Sequence, residues 1–380
     1  MIVSLVVASL ILCLVLAICV DWSAGNRSII DLGTIQADSG NVLVSIIVPA
    51  CNEERSIEKT VQSLLGLHYQ NKEILIVNDR STDSTGELID RLQRYHPQLK
   101  TLTIDNLPDG WLGKNHALFY AAEKAKGTWL LFTDADVMFE PTVLNRAMHY
   151  VKQHRVDHLA AFPSIHAAGF MLELFVAYFT IFFSMFFRPW KASDPGSRRH
   201  VGIGAFNLIS KEAYLRIGTH QAIAMCPDDD MKLGKRVKES GMNQDLVAAH
   251  DLISVEWYSS VWEMVKGLEK NAFAGLDYKW YRTAAGVIGQ LVCFAWPFLA
   301  VWVTEEPVRT LYSGVLLILA MTYLLQQKHH RAPWYHLMSW PVAALFMVFV
   351  MMNGLIQVTL HGGIQWRGTY YRREDLMKRG

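Results

Sequence analysis

The chain has 380 residues, 36 Lys and Arg against 35 Asp and Glu, and 51% hydrophobic residues. Positive mean hydropathy excludes a disordered chain, and the balanced charge excludes a basic nucleic-acid-binding domain, so no nucleic acid is expected as a partner. The apolar residues are concentrated at the two ends.

Residues Met1 to Val20 carry no charged side chain, and Thr283 to Thr304, Thr310 to Gln327 and Ala332 to Trp366 contain no Asp, Glu, Lys or Arg. A membrane span needs about 20 apolar residues, so these predict an N-terminal anchor at 1–22 and two or three C-terminal helices within 283–366. A signal peptide is the competing reading of the first segment. It fits less well, because no basic residues precede the apolar run and no small-x-small cleavage site follows it. Cys13, Cys19, Cys51, Cys226 and Cys293 include no C-x-x-C pair, which predicts free thiols in a reducing compartment rather than a zinc site or a disulfide framework.

From about 41 to 260 the composition is that of a soluble α/β domain. Val44 to Val48 is a β-branched strand ended by Pro49, and Ile57, Val61, Leu64 and Leu65 follow at helical spacing. Glu73 to Val77 repeats the pattern, with the helix Glu87 to Tyr95 after a Ser- and Thr-rich turn that offers an N-cap. A third strand, Thr128 to Thr133, runs into Asp134-Ala135-Asp136. Alternating strands and helices predict a mostly parallel, Rossmann-like sheet whose ligands sit beyond the carboxyl ends of the strands. Asn52 and Glu53, Asp79, and Asp134 with Asp136 should converge there. Neither G-x-G-x-x-G nor G-x-x-x-x-G-K-[ST] occurs, so bound phosphate must be held another way. Carboxylates at i and i+2 suit a hard divalent cation shared with substrate phosphates, whereas an isolated D-x-D is more often a solvated turn. Acidic residues at three successive strand ends favour the cation.

Four blocks, VSIIVPACNEE, LIVNDRSTDST, LLFTDAD and PDDDMKLGKRVKESG, fall in order over roughly Val44 to Gly241. Together they resemble the signature of family 2 glycosyltransferases, which have the GT-A fold. The membrane-flanked layout and LPDGWLGKNHAL are similar to the branch containing ceramide glucosyltransferases and hopanoid-associated bacterial transferases. The resemblance implies that Pro49, Asn52, Glu53 and Asp79 line a nucleotide-sugar pocket, with Asp79 accepting from a uracil N–H. That role suits an acceptor-only carboxylate, while a capping turn is the structural alternative. It further implies that Asp136 ligates Mg2+ or Mn2+, that Asp134 shares the metal or faces the ribose, and that Lys114 is a second cation for the phosphates. Asp230 is expected as the base, with Asp229 as the fallback, although acidic residues also favour the start of a helix such as Met231 to Ser240.

The glycines of Val201-Gly-Ile-Gly-Ala-Phe206-Asn207 either admit a ligand close to the backbone, at Gly204 on the acceptor side, or make a tight turn. Residues 168–190 contain an uncharged, aromatic run from Leu174 to Phe187, expected as a membrane-interface helix with a buried core helix as alternative. Where related sequences carry Q-x-x-R-W, this chain has an amphipathic linker at 261–282 containing Lys270 and Asn271, which argues against a processive synthase. Lys270 is placed on the acceptor or phosphate side. Gln365-Trp366-Arg367-Gly368 resembles the W-R-x-G tail of lipid-directed relatives, so Trp366 and Arg367 of the basic tail 367–380 join that side if the tail returns to the catalytic face. The positive-inside rule places Lys328 to Arg331 on the cytoplasmic side with the catalytic domain, while a third full span would put Arg367, Arg372, Arg373 and Lys378 outside. Pro341 and Gly354 within Ala332 to Trp366 offer the alternative of a re-entrant segment or a split helix that returns the tail to the cytoplasm.

These observations predict an integral protein of the cytoplasmic membrane. It would be an inverting, metal-dependent glycosyltransferase moving one sugar from a nucleoside diphosphate sugar, UDP being the expected nucleotide, to a lipid hydroxyl. Transfer to a polyprenyl phosphate and a non-catalytic nucleotide-sugar-binding subunit are the alternatives.

Overall fold

The computed structural model describes residues 1–37, 40–327 and 333–377, without the side chain of Lys270. Lys328 to Arg331 and Lys378 lie outside the described residues. Two units are formed, one from Met1–Ser28, Ala167–Arg188 and Tyr258–Ile364, the other from Ile29–His166, Pro189–Trp257 and the tail from Gln365.

The chain opens with α1 (Ile2–Ser28). It runs past the predicted anchor boundary at 22 because no proline stops it, and its one acidic side chain, Asp21, is paired with Arg188 at 2.7 Å. The sheet-bearing unit then follows as β1 (Ile30–Asp31), β2 (Val44–Ala50), α2 (Ile57–Leu65), β3 (Lys72–Asp79), α3 (Thr85–Tyr95) and β4 (Leu99–Ile104). It continues through α4 (Gly113–Lys124), β5 (Trp129–Phe132), β6 (Val137–Phe139), α5 (Val143–His154), β7 (His158–Phe162) and β8 (Ser164–His166). After α6 (Phe170–Phe187), which belongs to the other unit, come β9 (Asn207–Ser210), α7 (Lys211–Arg216), α8 (Asp229–Glu239), β10 (Gln244–Ala248) and β11 (Ile253–Glu256).

Eight strands form one sheet in the order β1-β10-β7-β9-β5-β2-β3-β4. Every pairing is parallel except those of β9, which runs antiparallel to β5 and β7. Alternate residues feed two cores: Val44, Ile46, Val48, Ile74 and Ile76 face Ile57, Val61 and Leu64 of α2, while Ile47, Leu75, Val77 and Phe132 face Ala117, Leu118 and Ala121 of α4. Each such Ile, Val or Leu contributes about 1.5–3 kcal/mol on burial, and covering both faces is what makes the strands read as continuous apolar runs. A smaller sheet has the order β6-β11-β8.

Two helix starts differ from expectation. The second crossover helix begins at Thr85 rather than Glu87, and Ser84 makes no capping bond; Asp83 accepts from the Thr85 N–H at 3.0 Å instead. Helix α8 begins at Asp229 rather than Met231, so Asp229 and Asp230 lie in its first turn, where the helix dipole favours negative charge.

In the other unit, α9 (Val261–Ala274) is capped by Ser260, whose hydroxyl accepts from the Glu263 N–H at 3.2 Å. Helix α10 (Trp280–Gly289) continues through a π turn, Gln290–Ala295, into α11 (Trp296–Val303), followed by α12 (Val308–Leu325). A 3-10 turn, Trp334–Ser339, leads into α13 (Trp340–Leu360). Among the described residues five helical segments are long and apolar enough to cross a membrane: Ile2–Ser28, Phe170–Ala192, Trp280–Val303, Val308–Leu325 and Trp334–Leu360.

The last uncharged stretch, Ala332 to Trp366, is therefore not helical to its end. Gly363–Trp366 forms β12, which pairs with β13 (Thr369–Arg372) before the short α14 (Arg373–Met377). Pro341 sits in the first turn of α13, where its missing N–H costs nothing. Gly354 does not split the helix; a Cβ there would lie 3.1 Å from the Glu269 carbonyl oxygen of α9, so the glycine serves close helix packing.

Candidate active site

The register sets the site. In the parallel ladder Ala50 pairs with Asn78 and Ile47 with Phe132, so β2, β3 and β5 end on one edge and project Asn52, Glu53, Asp79 and Asp134 from it. Pro49 is tolerated in a central strand because pairing with β5 stops at Ile47, leaving its missing N–H beyond that ladder. Asn52 and Arg80 both adopt left-handed backbone, with φ of 58° and 53°. The Asn52 amide oxygen accepts from the Thr82 N–H at 2.8 Å, which ties the first loop to the second. Asp79 is buried, and its two carboxylate oxygens are held by the Arg80 guanidinium at 2.8 and 3.1 Å.

At the centre stands Lys114 in the first turn of α4. Its Nζ lies 2.8 Å from Oδ1 of Asp134 and 3.2 Å from Oδ1 of Asp229. Burial works against its charge, but Asp134, Asp229 and Asp230 outweigh burial and hold the ammonium above its usual range. Asp230 is pushed up to about 7, first by burial and then by the neighbouring Asp229. That places a carboxyl near the optimum for a base at neutral pH. Its Oδ1 accepts from the Met231 N–H at 2.7 Å.

The glycine loop before β9 touches this centre. The Phe206 N–H donates to the Ile203 carbonyl at 3.0 Å, closing a tight turn over Gly204 and Ala205, and neither Gly202 nor Gly204 needs positive φ to make it; the glycines also permit close approach. A Cβ on Gly202 would fall 1.8 Å from the Asp230 carbonyl oxygen, and one on Gly204 would fall 2.6 Å from Oδ2 of Asp134. Gly234 in α8 reciprocates, with Val201 oxygen 1.8 Å from where its Cβ would be. Gly204 thus adjoins Asp134 and Asp230, while Gly202 and Gly234 let the loop pack backbone to backbone on α8.

Several supporting residues were given no role by the sequence, although Asn115 lies in the block LPDGWLGKNHAL. Asn115, fully buried beside Lys114, donates to the carbonyls of Ile223 and Cys226 at 2.8 and 2.9 Å and holds the segment that leads to Asp229. Thr60 of α2 donates to the Ala135 carbonyl at 2.9 Å and so fixes the turn between the two aspartates. Gln244 accepts from the Val201 N–H and donates to the Gly234 carbonyl, both at 2.9 Å, joining the glycine loop to α8. Its amide also donates to His158 Nδ1 at 2.8 Å. Burial pushes His158 down to about 4, so the ring is neutral and its Nε2–H points to Asn207.

The tail reaches the same edge. Nη2 of Arg367 lies 2.8 Å from Oε1 of Glu53, and Thr369 Oγ1 lies 3.5 Å from Nη1 of Arg80. Trp366 stacks beside the Arg367 guanidinium, 5.9 Å from it. Lys270 falls on α9 in the other unit, and its side chain is outside the described residues.

The residues fit a hard divalent cation. Asp136 is pushed up to about 7, first by burial and then by Asp134 and Glu53, with Lys114 acting in the opposite direction; the carboxylates are an all-oxygen donor set of the kind a hard cation takes. Among the described residues no three acidic, His or Cys side chains form a ready-made cage. A cation there would need further oxygen ligands, as substrate phosphates provide.

A mostly parallel sheet with acidic side chains along the carboxyl edge of its strands is a GT-A-like α/β domain, here joined to apolar helices long enough to be candidate membrane spans. Residues 45–217 match the model of glycosyl transferase family 2. The chain is similar to 4,4'-diaponeurosporenoate glycosyltransferase of Staphylococcus haemolyticus, 21% identical over 61% of this chain and 61% of that protein. It is also similar to beta-monoglucosyldiacylglycerol synthase of Synechocystis, 36% identical over 28% of this chain and 22% of that protein. The matches therefore span less than two thirds of these relatives' lengths. Among solved structures, mannosyltransferase PcManGT of Pyrobaculum calidifontis, in complex with GDP-Man and Mn2+, has a TM-score of 0.57 at 15% identity, covering 93% of this chain and 99% of that one. The family 2 match is confined to residues 45–217, within which the first three of the four sequence blocks fall, save for Val44.

Proposed function

We propose that the protein is a membrane-bound, inverting transferase that moves a single sugar from a nucleoside diphosphate sugar, UDP in the first instance, to the hydroxyl of a lipid. The observation that carries this reading is the cluster around Lys114. One buried cation faces Asp134 and Asp229, and beside them Asp230 is poised near neutrality. Asp230 takes the proton from the acceptor hydroxyl as the oxygen attacks the anomeric carbon, and the bond from that carbon to the diphosphate oxygen breaks. One displacement with one base inverts the anomeric centre.

Pro49, Asn52, Glu53 and Asp79 line the nucleotide side, and Asp79 exchanges its Arg80 partner for a base N–H when nucleotide is bound. Asp136, with Asp134, would hold Mg2+ or Mn2+, which when bound neutralises charge on the leaving diphosphate. Lys114 and Arg367 supply fixed positive charge on the same side, and Trp366 with Gly204 borders the acceptor. Nucleotide sugars are cytosolic, so the sheet-bearing unit faces the cytoplasm. The lipid acceptor is supported by the apolar helices and by what the relatives' names state of those proteins.

The test is sugar transfer by the detergent-solubilised protein with labelled UDP- and GDP-sugars and host lipid extract, with Mn2+, Mg2+ or chelator, beside Asp136→Ala and Asp230→Asn. A labelled lipid lost with chelator and with both substitutions is the expected result. Transfer retained in Asp230→Asn would point to a polyprenyl phosphate acceptor, already anionic. Metal-dependent nucleotide binding without any product would point to a binding subunit.

A further inference from the structure

We propose that the chain crosses the bilayer three times, through α1, the continuous α10–α11 helix and α12, and that α6 and α13 enter and leave on the face carrying the sheet. This topology follows from connectivity and from contacts within each unit, and it stands whether or not the reaction above is correct.

Helix α6 is as long and apolar as a span, but the strands on either side of it share one sheet. Strand β7 precedes α6, β9 follows it, and the two are hydrogen-bonded from His158–Ile209 to Ala160–Asn207. A sheet with polar loops cannot be threaded through hydrocarbon, so the chain must return to the face it left. The return end of α6 carries Arg188, paired with Asp21 near the end of α1 that leads into β1.

Parity then limits the C-terminal helices. Strand β11 ends at Glu256 in the sheet-bearing unit, and Arg367 is back in that unit on Glu53. Between them lie three candidate spans, and an odd number of crossings would leave Arg367 on the opposite face from Glu53. At least one of the three does not cross.

The side chains identify it as α13. Its approach, Tyr335 and His336, packs on Phe170 with ring centroids 6.4 and 5.6 Å apart. Phe170 is four residues beyond His166, the end of β8. Four residues reach at most about 14 Å, far short of the roughly 30 Å of hydrocarbon. The start of α13 is therefore on the sheet's face, and its end leads directly to Arg367 on the same face. Gly354 of α13 also seats the Glu269 carbonyl of α9, and α9 carries Glu263, Lys266 and Glu269 along its length. Such a helix belongs at an interface, not in the core of a bilayer. Helices α11 and α12 meet through the short turn Thr304 to Pro307 with its two glutamates, the form of a hairpin whose tip emerges on the far side. Exposed Leu299, Trp302, Leu317 and Met321 give that hairpin a lipid-facing surface.

The test is side-specific labelling of the full chain in sealed vesicles of both orientations, using a membrane-impermeant maleimide on Glu305→Cys, Met338→Cys and Asp375→Cys, with Lys126→Cys marking the sheet's face and the unsubstituted chain as background. Met338→Cys and Asp375→Cys should label from the same face as Lys126→Cys, and Glu305→Cys from the opposite face. Met338→Cys or Asp375→Cys on the Glu305→Cys face would overturn the proposal, as would Glu305→Cys on the Lys126→Cys face. Trypsin on vesicles of the unsubstituted chain is the second measurement: cleavage at Arg372 and Arg373 should need protease on the sheet's face, and cleavage from the other face alone would sink the three-crossing topology.

Discussion

Gly202 and Asp230 are bound by a backbone contact: a Cβ on Gly202 would sit 1.8 Å from the Asp230 carbonyl oxygen. No side chain can move aside there, so Gly202→Ala must shift either the loop or the first turn of α8. We expect a loss of about 1–3 kcal/mol, as for other overpacked sites, read as a lower melting temperature, together with loss of transfer. Gly204→Ala meets side chains, the Asp134 carboxylate at 2.6 Å and Oδ2 of Asp230 at 3.6 Å, so its effect should fall on transfer more than on melting.

Lys114→Met removes the cation shared by Asp134 and Asp229. Loss of one charge-stabilising group at a reacting centre typically costs about 10²–10³ in turnover, and we expect a kcat decrease of that order. Melting should also fall, because Asp134 and Asp229 lose the buried cation that offsets their charge. Unchanged kcat would remove Lys114 from the site.

The proposed base should show itself in the pH profile. A base at Asp230 would act deprotonated, and the group is pushed up to about 7, so kcat/KM should rise with pH through about 7 and level off above it. Asp230→Asn should abolish that limb and lower transfer to a hydroxyl by about 10²–10⁴. The stability sign is opposite. A carboxyl raised in the folded state favours folding below its ordinary range of about 4, and that contribution is lost as pH rises through about 7. Melting temperature should therefore fall less steeply between pH 4 and 7 in Asp230→Asn than in the unsubstituted protein.

Divalent cation binding should compete with a proton. Because Asp136 is pushed up to about 7, Mn2+ affinity measured calorimetrically with nucleotide present should increase with pH up to about 7 and then flatten, with proton release on the acid side. Asp136→Ala should remove both the binding heat and its pH dependence.

Arg367 bridges the tail to Glu53 at 2.8 Å. Arg367→Ala should raise the KM for the nucleotide sugar with a smaller change in melting, because the pair is partly exposed and such pairs contribute only about 0–1 kcal/mol to folding. A melting loss without a KM change would assign Arg367 to tail docking alone.

Much of this was legible along the chain, for a local reason. The apolar runs of β2, β3 and β5 and the acidic residues after them are each contained within a few consecutive residues. Parallel strands joined by helices must end on one edge, so Asn52, Glu53, Asp79 and Asp134 could be grouped before any coordinates. What stayed hidden depends on partners distant in sequence. Strand β9 enters antiparallel from beyond α6, and Asn115, Thr60 and Gln244 act through backbone groups far away along the chain. Asn115 lies in a recognisable block beside Lys114, but nothing there states its role, and nothing marks Thr60 or Gln244, because a buried amide or hydroxyl is specified by its partner rather than by its flanks.

The same division holds for the membrane. Hydropathy alone marks the helices long enough to cross, since length and apolarity are properties of one segment. Which of them cross is a property of the whole fold. It follows from the pairing of β7 with β9 and of Arg367 with Glu53, because hydrocarbon admits no polar sheet and a chain that returns to its starting face must cross an even number of times.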